Sequence, residues 1–135
     1  MPKKFPPRSE TFNPFGALIG LDFAEYSKGY SRCTLEVAEK LLNPHKVLHG
    51  GVVYSMADTG MGAALYSELD EDELCATVEI KIVYFAAVTS GILTCETKVI
   101  HRSKRIAVLE SEIRNGERLT AKALGTFSVS KVKRD

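Results

Sequence analysis

The sequence lacks an excess of charge of either sign. Its 135 residues include 18 lysines and arginines and 17 aspartates and glutamates, which give a formal net charge of +1. Because positive and negative charges are so evenly balanced, there is no electrostatic reason to expect nucleic acid or an anionic membrane as a partner. With 44% hydrophobic and 26% charged residues, the composition is that of an ordinary globular chain. We expect one domain at residues 15–135, preceded by a loosely ordered, proline-bearing arm at residues 1–14.

The sequence also lacks paired cysteines and closely spaced histidines. Its three cysteines lie far apart and outside any CxxC pair, and its three histidines form no HxxxH or HxH pattern. We therefore expect reduced thiols in a cytoplasmic protein, and neither a metal ion nor another cofactor. The N-terminal stretch MPKKFPPRSE has no apolar run behind its basic residues and does not resemble a signal peptide.

Charge is scarce in one long segment. From Gly50 to Ser67 a single side chain, that of Asp58, is charged. The segment is short for a membrane span and contains several glycines, so we do not expect it to cross a membrane. Its apolar residues recur at helical spacing on almost all sides, which predicts a buried helix from about His49 to Ser67. The small residues at 60–64 predict that another backbone approaches this helix closely.

The remaining patterns are those of strands joined by turns. Two strands around a tight turn at 27–29 are predicted within residues 18–37, and Asn115-Gly116 predicts a hairpin turn. Another hairpin turn is predicted at 101–104. Further strands are predicted at 77–85, 92–100, 106–114 and 119–130. We expect an α+β fold, a mostly antiparallel sheet of about six strands wrapped around one long central helix.

The predicted strand at 77–85 shows a clear alternation. Val78, Ile80 and Ile82 alternate with Thr77 and Glu79. Such alternation is typical of a strand.

Four elements of the chain together form a recognisable motif. Asn43, His49-Gly50-Gly51 and Asp58 occur in the order N-x5-HGG-x6-D, and Thr77 follows in the segment TVEIKI. The combination resembles the signature of hotdog-fold acyl-CoA thioesterases of the PaaI-like group, within the 4-hydroxybenzoyl-CoA thioesterase superfamily. The resemblance extends over residues 15–130. It implies the hotdog fold and the hydrolysis of an acyl- or aryl-CoA thioester to a free carboxylic acid and coenzyme A.

The resemblance also implies a role for each matching residue. Asp58 matches the catalytic carboxylate, which either activates water or attacks the thioester itself. The Gly50 N–H matches the donor to the thioester carbonyl oxygen, and the start of a helix suits this task because its first N–H groups have no intrahelical partner. His49 and Asn43 match polar residues around the oxyanion and leaving group, and Thr77 matches a position that helps to place the water. Each of these three residues also fits a simpler role: His49 as a helix cap, Asn43 as a turn residue and Thr77 as a strand former.

Substrate-binding residues are predicted around the motif and at one turn. Gly51 would keep side chains clear of a ligand at the helix start. Three residues would line an acyl pocket, although core packing explains them equally well: Tyr54, Met61 and Phe85. Four residues would bind the phosphates of coenzyme A, unless they form only a solvated turn: Arg102, Ser103, Lys104 and Arg105.

The spacing of the motif predicts that two chains share each site. Asp58 lies nine residues beyond His49, which on a helix is about half a turn out of phase and ~13 Å further along. One chain does not easily bring its Asp58 to its own Gly50, whereas two antiparallel helices about a two-fold axis can join the two groups. We expect a homodimer with composite sites, its helices in close contact along residues 60–64, and a dimer of such dimers, a homotetramer.

Two other functions are compatible with the same fold. Resemblance to an enoyl-CoA hydratase would require an aspartate five residues before a histidine. In this sequence the residues five positions before the three histidines are Lys40, Pro44 and Glu96. A non-catalytic acyl-CoA sensor would usually need a DNA-binding segment, for which we expect no room in 135 residues. A thioester requires no Ser-His-Asp triad, and the sequence contains no GxSxG.

Overall fold

The computed structural model describes Lys3 and residues 13–132. A short 3-10 helix at Glu39–Leu41 precedes the long helix. The main elements, in chain order, are α1 Pro14–Ile19, β1 Leu21–Ser27, β2 Tyr30–Glu36, α2 Gly50–Tyr66, β3 Glu73–Tyr84, β4 Ile92–Arg102, β5 Ile106–Asn115 and β6 Arg118–Lys131. This order confirms the predicted long helix and six strands. Most of the arm predicted at residues 1–14 lies outside the described residues.

The short helix α1 was not predicted from the sequence. Asn13 caps it, because the Asn13 Oδ1 accepts a hydrogen bond from the Gly16 N–H at 3.1 Å, and Pro14 begins its first turn. Gly20 ends it in the left-handed conformation, with φ 79°. Asparagine and proline before a helix and glycine after it are usual boundary signals. Six residues are too few for apolar periodicity to reveal the helix between them.

The helix α2 begins and ends where its sequence pattern predicts. His49 is its N-cap and Ser67 its C-cap. It packs on one face of the sheet, against β2, β3, β4 and β5. Most of its circumference is therefore buried, with the largest fully buried side chains being Met56, Met61 and Leu65. An unpaired charge is costly in such surroundings, which explains why charged residues are so scarce in this segment.

The six strands form one antiparallel sheet in the order β1-β2-β4-β5-β6-β3. Strands β1 and β3 are its edges, so each is paired on one side only within the described part of the chain. Strand β3 is 12 residues long, and its free edge carries exposed hydrophobic side chains, including Leu74 and Val78.

Three of the small residues at 60–64 are buried within the chain itself, and the predicted contact between two helices along this segment stays a prediction. Gly60 is buried, and a Cβ atom there would lie 2.8 Å from Thr97 Oγ1. The Ser31 hydroxyl donates to the Gly60 carbonyl oxygen at 2.7 Å. Ala63 and Ala64 are buried as well. The close approach predicted at residues 60–64 is therefore mainly that of the helix to its own strands.

A β-bulge in β3 changes which side chains face α2. The register between β3 and β6 shifts between Thr77 and Glu79, which leaves Val78 as an additional residue and 61% exposed. Ile80 packs against the core, and Thr77 also faces α2, through a hydrogen bond described below. The bulge therefore reverses the phase of the alternation, so that Thr77 and Ile80, rather than Val78 and Ile80, share a face of the strand.

Two turns differ slightly from their predicted positions. Strand β4 continues to Arg102, so the turn predicted at 101–104 comprises residues 103–105. In the next hairpin Asn115 pairs with Arg118, and the loop consists of Gly116 and Glu117, with φ 61° at Gly116. A positive φ at the first loop position requires the freedom of glycine, so Gly116 occupies the first loop position rather than the second.

Candidate active site

The first turn of α2 leaves one backbone donor open. The Gly51 N–H donates to His49 Nδ1 at 2.8 Å, and the Val52 N–H donates to the His49 carbonyl oxygen at 3.0 Å. Within residues 13–132, the Gly50 N–H has no hydrogen-bond acceptor. The positive end of the helix dipole lies at this point. The Gly50 amide is therefore placed to bind an oxygen that develops negative charge.

Each glycine of this turn makes room for a different neighbour. A Cβ atom on Gly50 would lie 3.2 Å from the Tyr84 hydroxyl oxygen and 3.3 Å from Tyr84 Cζ. A Cβ atom on Gly51 would lie 2.9 Å from His49 Nδ1. Gly51 thus allows the His49 imidazole to close over the helix start, which is a more specific role than the ligand clearance predicted from the sequence.

Tyr84 belongs to the site although the sequence analysis did not identify it. It ends β3 on the face that carries Ile80 and Ile82, and its hydroxyl donates to the Gly50 carbonyl oxygen at 2.7 Å. Burial raises the pKa of Tyr84, and the nearby Tyr54 adds to the increase. The phenol therefore stays protonated as a donor. Its place two residues beyond Ile82 in the alternating strand was a signal that could have indicated it.

The Asp58 carboxylate lies further along α2 and is held by β3. The Thr77 hydroxyl donates to Asp58 Oδ1 at 2.7 Å, which brings together two of the predicted catalytic residues. The other carboxylate oxygen makes no hydrogen bond within the described residues and is available to another partner. Asp58 is half-buried and Thr77 is exposed at the free edge of the sheet. Burial raises the pKa of the nearby Cys75 thiol, which therefore remains protonated and a poor nucleophile.

Asn43 lies in the tight loop before α2. Its Oδ1 accepts hydrogen bonds from the His45 N–H at 2.9 Å and the Val47 N–H at 3.4 Å. The Leu42–Leu48 bridge closes the loop, and the His49 N–H donates to the Leu41 carbonyl oxygen. These contacts are the ones expected if Asn43 acts as a turn residue. They orient the Asn43 amide group, whose nitrogen is not used by these contacts.

The two predicted reaction groups are apart within one chain. Asp58 follows Gly50 by eight residues, or about 12 Å along the helix axis. Both groups lie beneath the same edge strand, because Tyr84 contacts Gly50 and Thr77 contacts Asp58. The distance along the axis, rather than the helical phase from His49, is what separates them.

A cleft opens beside the start of α2. It has a volume of about 310 Å³, and its lining residues are uncharged: Leu48, Gly50, Val53, Tyr84, Phe85, Ala86, Ala87, Val88, Thr120 and Ala121. Phe85, a predicted pocket residue, lies here and is 54% exposed. Tyr54 is half-buried near Tyr84. Met61 is fully buried in the core and would be touched by any side chain at Gly125, so core packing accounts for it.

The residues predicted to bind coenzyme A phosphates lie at the opposite end of β3. The Arg102 guanidinium pairs with the largely buried Glu73 at 3.4 Å, so this cation already has a protein partner. Ser103 closes the turn, its N–H donating to the Ile106 carbonyl oxygen at 2.8 Å. Lys104 and Arg105 line a second cleft, of about 550 Å³, together with Glu73, Val129, Ser130 and Lys131.

Features of two other kinds of site are absent from the described part of the chain. No helix in residues 13–132 is long and apolar enough to cross a membrane. In the same part of the chain, no three or more histidine, cysteine or acidic side chains are grouped so that they could hold a metal ion. Cys33, Cys75 and Cys95 are all free thiols.

Known proteins share both the sequence and the fold. A family model described as the thioesterase superfamily matches residues 45–122. The 1,4-dihydroxy-2-naphthoyl-CoA hydrolase of Listeria monocytogenes is 30% identical over 84% of this chain and 93% of that protein. The acyl-coenzyme A thioesterase PaaI of Escherichia coli is 31% identical over 76% of this chain and 71% of that protein.

A solved structure extends the similarity to the backbone. That of the conserved protein PA5202 from Pseudomonas aeruginosa is 36% identical, with a TM-score of 0.88 over 93% of this chain and 100% of that chain. The predicted family, fold and hydrolase class are confirmed by these similarities and by the six-stranded sheet around α2. The chain therefore belongs to the thioesterase superfamily and has the hotdog fold.

Proposed function

We propose that this chain hydrolyses an acyl- or aryl-CoA thioester to a carboxylic acid and coenzyme A, with Asp58 as general base or nucleophile. The observation that carries the proposal is the hydrogen bond between Thr77 and Asp58 at 2.7 Å, on a helix whose first amide is open. Asp58 is the only charged side chain of that helix. The names of the two enzymes compared above support the substrate class.

The chemistry needs few groups because a thioester carbonyl is weakly stabilised by resonance. The Gly50 N–H binds the carbonyl oxygen, and such a donor is worth ~3 kcal/mol when charge develops on that oxygen. Thr77 holds one oxygen of Asp58, and the other oxygen takes a proton from the attacking water or attacks the carbonyl carbon directly. The C–S bond breaks, and the coenzyme A thiolate leaves and takes up a proton. On the direct route Asp58 is left as an acyl anhydride, which water then hydrolyses to release the carboxylic acid and restore the carboxylate.

We also propose that each site is composed of two chains. The free edge of β3 exposes hydrophobic side chains at Leu74, Val78 and Val83, and an exposed apolar edge of this length favours association with another strand. Because α2 packs against β3, a two-fold axis at this edge would set two α2 helices side by side and antiparallel. Asp58 of one chain would then approach the helix start of the other. The homotetramer and the cytoplasmic location remain predictions.

Two clefts suit the two ends of the substrate. The uncharged cleft beside Gly50 suits an uncharged acyl group, because an acyl carboxylate would be desolvated there without a partner. Lys104 and Arg105 line the second cleft and suit the phosphates of coenzyme A, whereas Arg102 is neutralised by Glu73.

The test is the release of free thiol from a panel of acyl-CoA substrates. Asp58→Asn keeps the size of the side chain but removes the base, so kcat/KM should fall by about 10²- to 10⁴-fold. Asp22→Asn, on the exposed edge strand β1, is the matched control and should keep wild-type rates. Equal rates for wild type and Asp58→Asn would refute the proposal. Acyl-CoA binding without any turnover would favour the sensor instead.

A further inference from the structure

We propose that Tyr84 is a positioning residue which, through the Gly50–Gly51 peptide, holds the His49 imidazole with its Nε2–H turned toward the substrate. The inference deepens the proposed function and rests on it for the role of His49 in catalysis. The hydrogen-bonded arrangement itself can be tested without any enzymatic activity.

The peptide group between Gly50 and Gly51 takes part in two hydrogen bonds. The Tyr84 hydroxyl donates to the Gly50 carbonyl oxygen at 2.7 Å. The N–H of that same peptide belongs to Gly51 and donates to His49 Nδ1 at 2.8 Å. Hydrogen bonds in series polarise one another, so the bond from Tyr84 strengthens the Gly51 N–H as a donor. The three groups form a continuous relay from the end of β3 to the imidazole.

The relay determines where the imidazole carries its proton. A backbone N–H can only donate, so Nδ1 of His49 must be the acceptor. The neutral ring then carries its hydrogen on Nε2. His49 is exposed at the start of α2, beside the open Gly50 amide and the uncharged cleft. Its Nε2–H is therefore a second donor available to the thioester or its leaving group.

The two glycines provide independent support for the relay. A side chain on Gly50 would meet the Tyr84 ring and hydroxyl at 3.2–3.4 Å, and one on Gly51 would meet His49 Nδ1 and Cε1 at 2.9–3.1 Å. Neither glycine has a positive φ, so backbone conformation does not require them. What they provide is space, at the two points where the relay touches the helix. Burial also raises the pKa of Tyr84, which keeps its hydroxyl a donor.

The direct test is NMR of the imidazole nitrogens in the ¹⁵N-labelled full chain. In the wild type we expect His49 to show an unprotonated Nδ1 and a protonated Nε2. In Tyr84→Phe, which removes only the hydroxyl, its signals should shift toward those of a mixture of both tautomers. His45 and His101 are exposed and should keep their signals in both proteins, as internal references.

The kinetic test separates positioning from general stability. Tyr84→Phe should lower kcat about threefold to tenfold, the effect of losing one hydrogen bond, and should leave KM within about twofold. Tyr30→Phe is the matched control, because it removes a tyrosine hydroxyl bonded at 2.9 Å to Glu96, a residue outside the proposed site. It should keep the wild-type kcat and the wild-type His49 signals.

Several results would overturn the inference. A wild-type His49 protonated on Nδ1 would do so without any variant, and so would unchanged His49 signals in Tyr84→Phe. An equal loss of kcat in Tyr30→Phe would show that the effect is not specific to the relay. A wild-type protein without thioesterase activity would refute the proposed function instead, and the tautomer measurement would then decide the inference alone.

Discussion

At the scale of single residues, the site depends on space as much as on functional groups. The His49 side chain caps α2 by accepting a hydrogen bond from the Gly51 N–H. This contact exists only because Gly51 has no side chain. Helix starts usually carry serine, threonine or aspartate as caps. Histidine in that position does the same structural work and leaves a polar nitrogen facing outward.

Gly51→Ala therefore separates stability from activity. The added Cβ would displace the imidazole, since it would lie 2.9 Å from His49 Nδ1. Losing the cap costs about 1 kcal/mol, and the higher helix propensity of alanine recovers about as much, so the free energy of unfolding should change by less than about 1 kcal/mol. Thioesterase kcat should fall about tenfold, a barrier increase of about 1.4 kcal/mol. Urea unfolding and thiol release measure the two effects, and a wild-type kcat in this variant would show that the imidazole position is unimportant.

At the scale of elements, the contact at Gly60 sets the distance between α2 and the sheet. Gly60 lies over Thr97, and Ser31 donates to its carbonyl oxygen. Asp58 and the Gly50 amide are carried by the same rigid helix and are therefore positioned by this contact. Strand β3 then adds one hydrogen bond at each group, from Thr77 and Tyr84.

Two glycines of α2 provide a matched pair for testing this contact. Gly60→Ala should destabilise the fold by about 1–3 kcal/mol, the usual cost of overpacking, because its Cβ would lie 2.8 Å from Thr97 Oγ1. Gly62→Ala meets nothing within 4 Å, so it should stabilise the fold by about 0.5–1 kcal/mol through helix propensity. Urea denaturation of both variants gives the comparison. Stabilisation by both substitutions would mean that the helix does not touch the sheet at Gly60.

At the scale of the whole molecule, the open edge of β3 lies directly over the proposed reaction groups, Asp58 and the Gly50 amide. Thr77 and Tyr84 belong to that edge strand and contact α2. Association through the edge would therefore bring the sites of two chains together. An exposed apolar edge left unpaired would otherwise favour aggregation.

A charge on the edge strand tests whether association and activity are linked. Val78→Lys places a charge on the free edge, where the native side chain is 61% exposed. We expect it to yield a monomer by light scattering and to lower the rate of thiol release at least tenfold, because ~1.4 kcal/mol of lost transition-state stabilisation is already tenfold. Leu124→Lys is the control, since Leu124 is 50% exposed but lies on the interior strand β6. A fully active monomeric Val78→Lys protein would contradict the composite site.

Local patterns in the sequence were sufficient for much of the fold. The limits of α2 followed from apolar spacing, and all six strands from alternation or β-branched runs. The motif indicated Gly50, His49 and Asp58, and its order carried the resemblance that the comparisons confirmed at the level of the family. The short helix α1 was missed because its signals are boundary residues rather than a repeating pattern.

The sequence by itself therefore determined which elements and functional groups are present: one buried helix with a single carboxylate, six strands and an HGG motif at the helix start. Only the tertiary structure decided which groups meet. The bulge at Val78 turned Thr77 toward Asp58, and the end of β3 brought Tyr84 onto Gly50. These contacts join residues that are 19 and 34 positions apart in the chain. Local periodicity carries no information about such distances, because register and bulges are set by how a strand pairs with its neighbours.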